Sequence, residues 1–151
     1  MRHFTKIAEQ ADVIPLLNAL AAHDDLWNEN NLRSTHPASP HKQVDDILVF
    51  FNRIPDDPAA IVDDVDVVPY RAWQELPQVR PLVFDIMRRV EAVRLGRVLI
   101  TRLAPGCSIP PHVDEGAPAT YYTRYQLALQ SLPGCNFTIG GETVNFRMGE
   151  L

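Results

Sequence analysis

The spacing of apolar residues changes period at Gly96, and this change constrains the fold more than any other feature of the chain. Before it, Val79, Leu82, Val83, Ile86, Val90 and Val93 recur at helical spacing, with Asp85, Arg88, Arg89, Glu91 and Arg94 on the opposite face. That pattern predicts a helix from Val79 with Gly96 as its C-terminal cap. After Gly96, short β-prone runs alternate with turn residues. Residues 97–103 end at Pro105-Gly106, residues 109–114 are extended and stiffened by proline, and residues 121–129 read as a further strand. Residues 136–139 and 142–146 flank Gly140-Gly141 as a hairpin. Helices first and antiparallel strands later predict an α+β domain whose β part is a sandwich or barrel.

The remaining segments fit one domain of 151 residues, 46% apolar and 22% charged. Asp12 is the expected N-cap of a first helix carrying Ile14, Leu17 and Leu20 on one face, with Pro15 tolerated in the first turn and an end near His23. Residues 28–42 read as a long loop, and 47–51 and 61–68 as strands, with Pro55 and Pro58 breaking the chain between them. The closing Met148-Gly149-Glu150-Leu151 reads as a turn into a further strand, so the β structure is expected to stop before it closes. Cys107 and Cys135 suit two free thiols rather than a disulfide framework or a paired-cysteine zinc site. A net charge of -5 supplies no basic stripe for nucleic acid or acidic membranes. No apolar run approaches the roughly 18 residues that span a bilayer, and the first residues do not open a signal peptide, so a cytoplasmic protein is expected.

Chemistry concentrates at His112-Val113-Asp114. Residues two apart on a strand share a face, so imidazole and carboxylate can converge on one metal ion, as in the two-His, one-carboxylate sets that leave positions open on non-haem iron. A similar spacing at His23-Asp24-Asp25 falls at a helix end, where residues two apart diverge, and reads as a solvated terminus. Pro105-Gly106 and Pro110-Pro111 stiffen the approach to His112, and Glu115-Gly116 releases the chain after it. On these residues alone two readings stand, a metal site at a barrel mouth or a surface His–Asp hydrogen bond. His36 and His41, in the long loop, can fold over the barrel mouth as a third ligand, but the flanking Pro37 and Pro40 fit a substrate-side lid at least as well. Trp27 and Trp73 read as packing residues.

The run from Arg97 to Gly106, then Ile109-Pro110-Pro111-His112-Val113-Asp114, Arg124 on the next predicted strand, and the final Met-Gly-Glu-Leu resemble the aspartyl/asparaginyl β-hydroxylase family, most closely over residues 95–151. The resemblance implies a 2-oxoglutarate- and Fe(II)-dependent dioxygenase. It implies N-terminal helices packed on a double-stranded β-helix, a cupin-like jelly roll, incomplete after Leu151. It implies that His112 and Asp114 bind iron, that Arg124 holds a carboxylate of 2-oxoglutarate, and that Gln126, on the same strand face as Arg124, also contacts the cosubstrate. In the family a second His and a further Arg follow the Gly-Glu-Leu turn, so the third ligand is expected past Leu151 and the 151-residue chain alone is expected to turn over little. Two other functions compete: a non-catalytic cupin-like binding domain, and a cupin-type metalloenzyme of another class. Protein and small-molecule substrates fit equally, and exposed strand edges leave an oligomer open.

Overall fold

The computed structural model describes residues 1–57 and 63–151. The chain is mixed helix and antiparallel sheet, in two compact units that it enters and leaves more than once. The first unit takes residues 1–21, 78–93 and 124–151, and the second takes 22–77 and 94–123.

In the first unit, helix α1 (Ile14–Ala22) begins where Leu17 N–H bonds the Val13 carbonyl at 3.0 Å. Its buried face is Val13, Leu16 and Leu20, whereas Ile14 from the expected face is 49% exposed. Helix α4 (Val79–Arg89) buries Val79 and Val83 and pairs Asp85 with Arg88 and Arg89 on its solvent side. It stops seven residues before Gly96. Glu91, at φ 52°, takes the left-handed position; Ala92 N–H reaches the Met87 carbonyl at 2.8 Å and Glu91 N–H the Arg88 carbonyl at 3.4 Å. These two bonds close the helix as a Schellman motif, so a cap at Gly96 is corrected.

The hairpin is present as β4 (Phe137–Ile139) and β5 (Glu142–Val144), with Ile139 opposite Glu142. Gly140 and Gly141 both have positive φ, 57° and 82°, the requirement of a two-residue type I′ turn. At Gly149, φ is 82° and a Cβ would lie 2.9 Å from the Ala11 carbonyl oxygen, so only glycine fits there. Leu151 is buried; its N–H bonds the Ala8 carbonyl and its carbonyl accepts from Ile7 N–H.

The second unit is built on a three-stranded antiparallel sheet in the order β2-β1-β3, formed by β1 (Val44–Phe51), β2 (Val68–Pro69) and β3 (Val98–Leu103). β1 is central and its buried Ile47 and Val49 contribute about 1.5–3 kcal/mol each by burial. The pairing runs from Val44 opposite Leu103 to Leu48 opposite Leu99, then shifts by a bulge before Phe50 opposite Val98. That extra residue puts Phe51 on the face of Leu48, where both pack with Leu32, Ile54, Tyr70 and Leu99. The opposite face carries Arg102, ion-paired to Asp45 at 2.9 Å and lying 4.2 Å over the Trp27 ring, and Phe50 edge-on to Trp73.

Asn52 ends β1 fully buried. Its Nδ2 donates to the Asp64 and Asp66 carbonyls at 2.6 and 2.8 Å, and its own carbonyl accepts from the Tyr70 hydroxyl at 2.8 Å. The expected strand 61–68 is reduced to β2; residues 64–66 give carbonyls to side chains instead, and Ile61 and Val62 lie outside the described residues. The loop 28–42 contains a short helix, α2 (Leu32–Thr35), and a second short helix, α3 (Ala72–Glu75), precedes Pro77.

The expected strand 121–129 is corrected. Gly116 at φ 88° and Pro118 start helix α5 (Ala117–Tyr121), closed by Tyr122 N–H on the Pro118 carbonyl at 3.2 Å. Residues 123–128 then run with no strand pairing, so the alternation that put Arg124 and Gln126 on one strand face does not apply. Among the described residues five strands form one three-stranded sheet and one hairpin, and these do not close into a double-stranded β-helix. No helix among them is long and apolar enough to cross a membrane.

Candidate metal centre

The antiparallel register of the second unit determines which residues meet. Val44 opposite Leu103 puts the start of β1 and the end of β3 at one end of the sheet, so residues before Val44 and after Leu103 emerge side by side. Gln43 ties the two together, its Oε1 accepting the Ser108 N–H at 3.1 Å. From this end His41, His112 and Asp114 converge, each presenting one ligand atom within 4.8 Å of the others.

His112 is oriented by its own loop. A carbonyl can only accept, so the Pro110 oxygen, 2.9 Å from Nδ1, requires a proton on Nδ1 and leaves the Nε2 lone pair available. Nε2 lies 3.4 Å from Asp114 Oδ1. Ligand bonds of about 2.0–2.2 Å around one ion place neighbouring ligand atoms roughly 3–4 Å apart, so this pair already has a metal-site separation. The pair meets although residues 109–114 form no strand, because the prolines hold the segment extended.

His41 is the residue that sequence reasoning placed in a lid. Its N–H donates to Ser39 Oγ at 3.1 Å, and its ring stands edge-on to His112 with centroids 5.2 Å apart. Its Nδ1 is buried with no hydrogen-bond partner among the described residues. Burial, with the positive charge of Arg33 nearby, pushes its pKa down to about 4, so the ring is neutral at pH 7, the form that binds metals. A neutral imidazole with a buried unpaired nitrogen, one ring nitrogen of which lies within 4.8 Å of ligand atoms of a second imidazole and a carboxylate, fits a divalent transition metal. The signal that could have found it was the Ser39-Pro40-His41 turn just before β1, but only with the β1–β3 register in hand.

Charge surrounds this cluster. Arg33, on α2, bonds buried Asp46 at 2.7 Å, and Thr101 donates its hydroxyl to the same carboxylate oxygen at 2.6 Å. Arg97 donates Nε to Asn52 Oδ1 at 2.6 Å and lies 4.4 Å over the Phe51 ring. Burial and the Arg33 charge lower the Arg97 pKa, while Asp64 and Asp114 oppose the shift; the guanidinium stays charged. Arg124 and Gln126 belong to the first unit, exposed on residues 123–128.

A family model described as aspartyl/asparaginyl beta-hydroxylase matches residues 19–151. No curated protein and no solved structure matches the chain. The matched segment spans the whole of the second unit and contains His41, His112 and Asp114, so the donor cluster lies inside the part that carries the family pattern. The chain belongs to the aspartyl/asparaginyl β-hydroxylase family, a family of hydroxylases.

Proposed function

We propose that this chain is a 2-oxoglutarate- and Fe(II)-dependent hydroxylase, with the metal held by His112, Asp114 and His41. The observation that carries the reading is the convergence of two imidazoles and a carboxylate, one imidazole fixed in its tautomer by Pro110 and the other left with an orphaned buried nitrogen. Fe(II) with 2-oxoglutarate would supply the oxidising power that converts a substrate C–H bond to C–OH. The chain's own residues supply the rest. His112 offers Nε2 because its Nδ1 is engaged, Asp114 offers an anionic oxygen, and the Ser39 and Gln43 contacts hold the two loops at the end of the sheet. Three protein donors leave coordination positions open for a bidentate oxo acid. The family resemblance gives Arg124, with Gln126 two residues on, the role of holding a 2-oxoglutarate carboxylate, and the complete β structure of the family is proposed to be a cupin-like jelly roll.

The third donor has two candidates in this reading, His41 or an imidazole following Leu151 as the family resemblance implies. The orphaned His41 Nδ1 favours His41 for the residues described. Anaerobic addition of Fe(II) and then 2-oxoglutarate is expected to give a visible charge-transfer absorption that His112→Ala and Asp114→Ala abolish and His41→Ala weakens. No absorption from the unaltered chain would count against the oxygenase, and an undiminished band in His41→Ala would remove His41 from the metal site.

A further inference from the structure

We propose that Gln43 is a positioning residue of the metal centre, its carboxamide setting the arm that carries His112 and Asp114 against the turn that carries His41. The role deepens the metal-site part of the hydroxylase reading and rests on it.

Two turns stand side by side where Val44 lies opposite Leu103. On the way into β1, Val44 N–H bonds the His41 carbonyl at 3.4 Å, so Lys42 and Gln43 are the corner residues of a turn that begins at His41. On the way out of β3, Cys107 N–H bonds the Ala104 carbonyl at 3.0 Å around Pro105-Gly106. Gly106 has φ 82°, the positive angle that a type II turn requires at its second corner. Ser108 is the first residue past this turn, and its N–H is the group that Gln43 Oε1 accepts at 3.1 Å.

From Ser108 to His112 the arm is stiff. Pro110 and Pro111 fix φ at both their positions, and the Pro110 carbonyl accepts from His112 Nδ1 at 2.9 Å. A displacement of Ser108 therefore carries His112 and Asp114 with it, while their own separation, 3.4 Å from Nε2 to Oδ1, is set within the arm. His41 stands on the other turn, so its place in the cluster depends on how the two turns are held together. Gln43 is two residues from His41 and bonded to the base of the arm, so one side chain spans the joint between the third donor and the other two. Ligand bonds in a formed site hold to within about 0.2 Å, and a joint that drifts by about an ångström loses a donor. Coupling between two equilibria is mutual, so an ion shared by the two turns must in return tighten the Gln43–Ser108 bond.

The test uses the 151-residue chain, with Co(II) affinity read by visible absorption and exchange of the Ser108 amide proton read by NMR with and without Zn(II). Gln43→Met, similar in size but without the acceptor, is expected to weaken Co(II) binding about fivefold, as the loss of one hydrogen bond implies. In a His41→Ala background the same substitution is expected to change Co(II) affinity by less than about twofold, because the joint then carries no donor; a merely structural role would cost the same in both backgrounds. Gln43→Glu keeps an acceptor oxygen and is expected to rescue Gln43→Met. Lys42→Met makes the same change of charge at the neighbouring exposed position, and the rescue is expected to exceed the gain that Lys42→Met gives the unaltered chain. In the unaltered chain Zn(II) is expected to slow Ser108 exchange about fivefold. Equal losses in the two backgrounds, full Co(II) affinity in Gln43→Met, a rescue no larger than the Lys42→Met gain, or Ser108 exchange indifferent to Zn(II) overturns the role of Gln43 and leaves the metal centre standing. No Co(II) binding by the unaltered chain overturns both.

Discussion

Asp46→Ala offers a sharp test of how the second unit supports its site. Asp46 is 4% exposed and accepts the Arg33 guanidinium at 2.7 Å and the Thr101 hydroxyl at 2.6 Å. Removing one partner of a buried ion pair costs about 3–5 kcal/mol, because the other charge is left buried and unpaired. The Arg33 side chain is 23% exposed, so water recovers part of that penalty, and the expected loss is about 3 kcal/mol. For a chain of this size that corresponds to a fall in Tm of about 6–12 °C. Both tryptophans, Trp27 and Trp73, lie in the second unit, so urea unfolding followed by tryptophan fluorescence reads that unit selectively. The double variant Arg33→Met with Asp46→Leu removes both charges and fills the space, and is expected to recover most of the loss. A loss below about 1 kcal/mol in Asp46→Ala, or a double variant as unstable as the single, would refute the buried-pair reasoning.

Two further predictions concern packing and acid stability. A Cβ on Gly96 would lie 2.9 Å from the Tyr122 ring, which is anchored by its hydroxyl on the Val65 carbonyl at 2.8 Å, so Gly96→Ala is expected to cost about 1–3 kcal/mol in urea unfolding, and the cost should vanish in a Tyr122→Ala background. The Asn28 amide and then Arg102 hold the Asp45 carboxyl below its ordinary pKa, so its contribution is present above about pH 4 and is lost as pH falls through the folded-state value. The stability gap between the unaltered chain and Asp45→Asn is therefore expected to close on acidification from pH 6 to pH 3; a gap independent of pH would remove Asp45 from the account.

What was legible in the sequence was local. The apolar run at 47–51, the helical period from Val79, the Gly140-Gly141 turn and the His112–Asp114 pair each depend on residues a few positions apart, and each is present. What was not legible depended on partners far along the chain or on backbone geometry. Residues 121–129 have β-prone composition, yet Gly116 and Pro118 start a helical turn that consumes their first residue. Helix α4 ends on Glu91 because a left-handed residue there satisfies two carbonyls, which a search for glycine overlooks. His41 joined the site only through the pairing of β1 with β3, strands separated by 46 residues, from 52 to 97. Long-range register of that kind leaves no mark in local spacing.

The central claim is that His41, His112 and Asp114 bind one divalent transition metal ion. Titration of the metal-free chain with Co(II), followed by its visible absorption at neutral pH, tests it most directly. Saturation at one ion per chain is expected, with affinity lost in His112→Ala and Asp114→Ala and unchanged in Arg102→Ala. Saturation that persists undiminished in both His112→Ala and Asp114→Ala, or no binding by the unaltered chain, would contradict it.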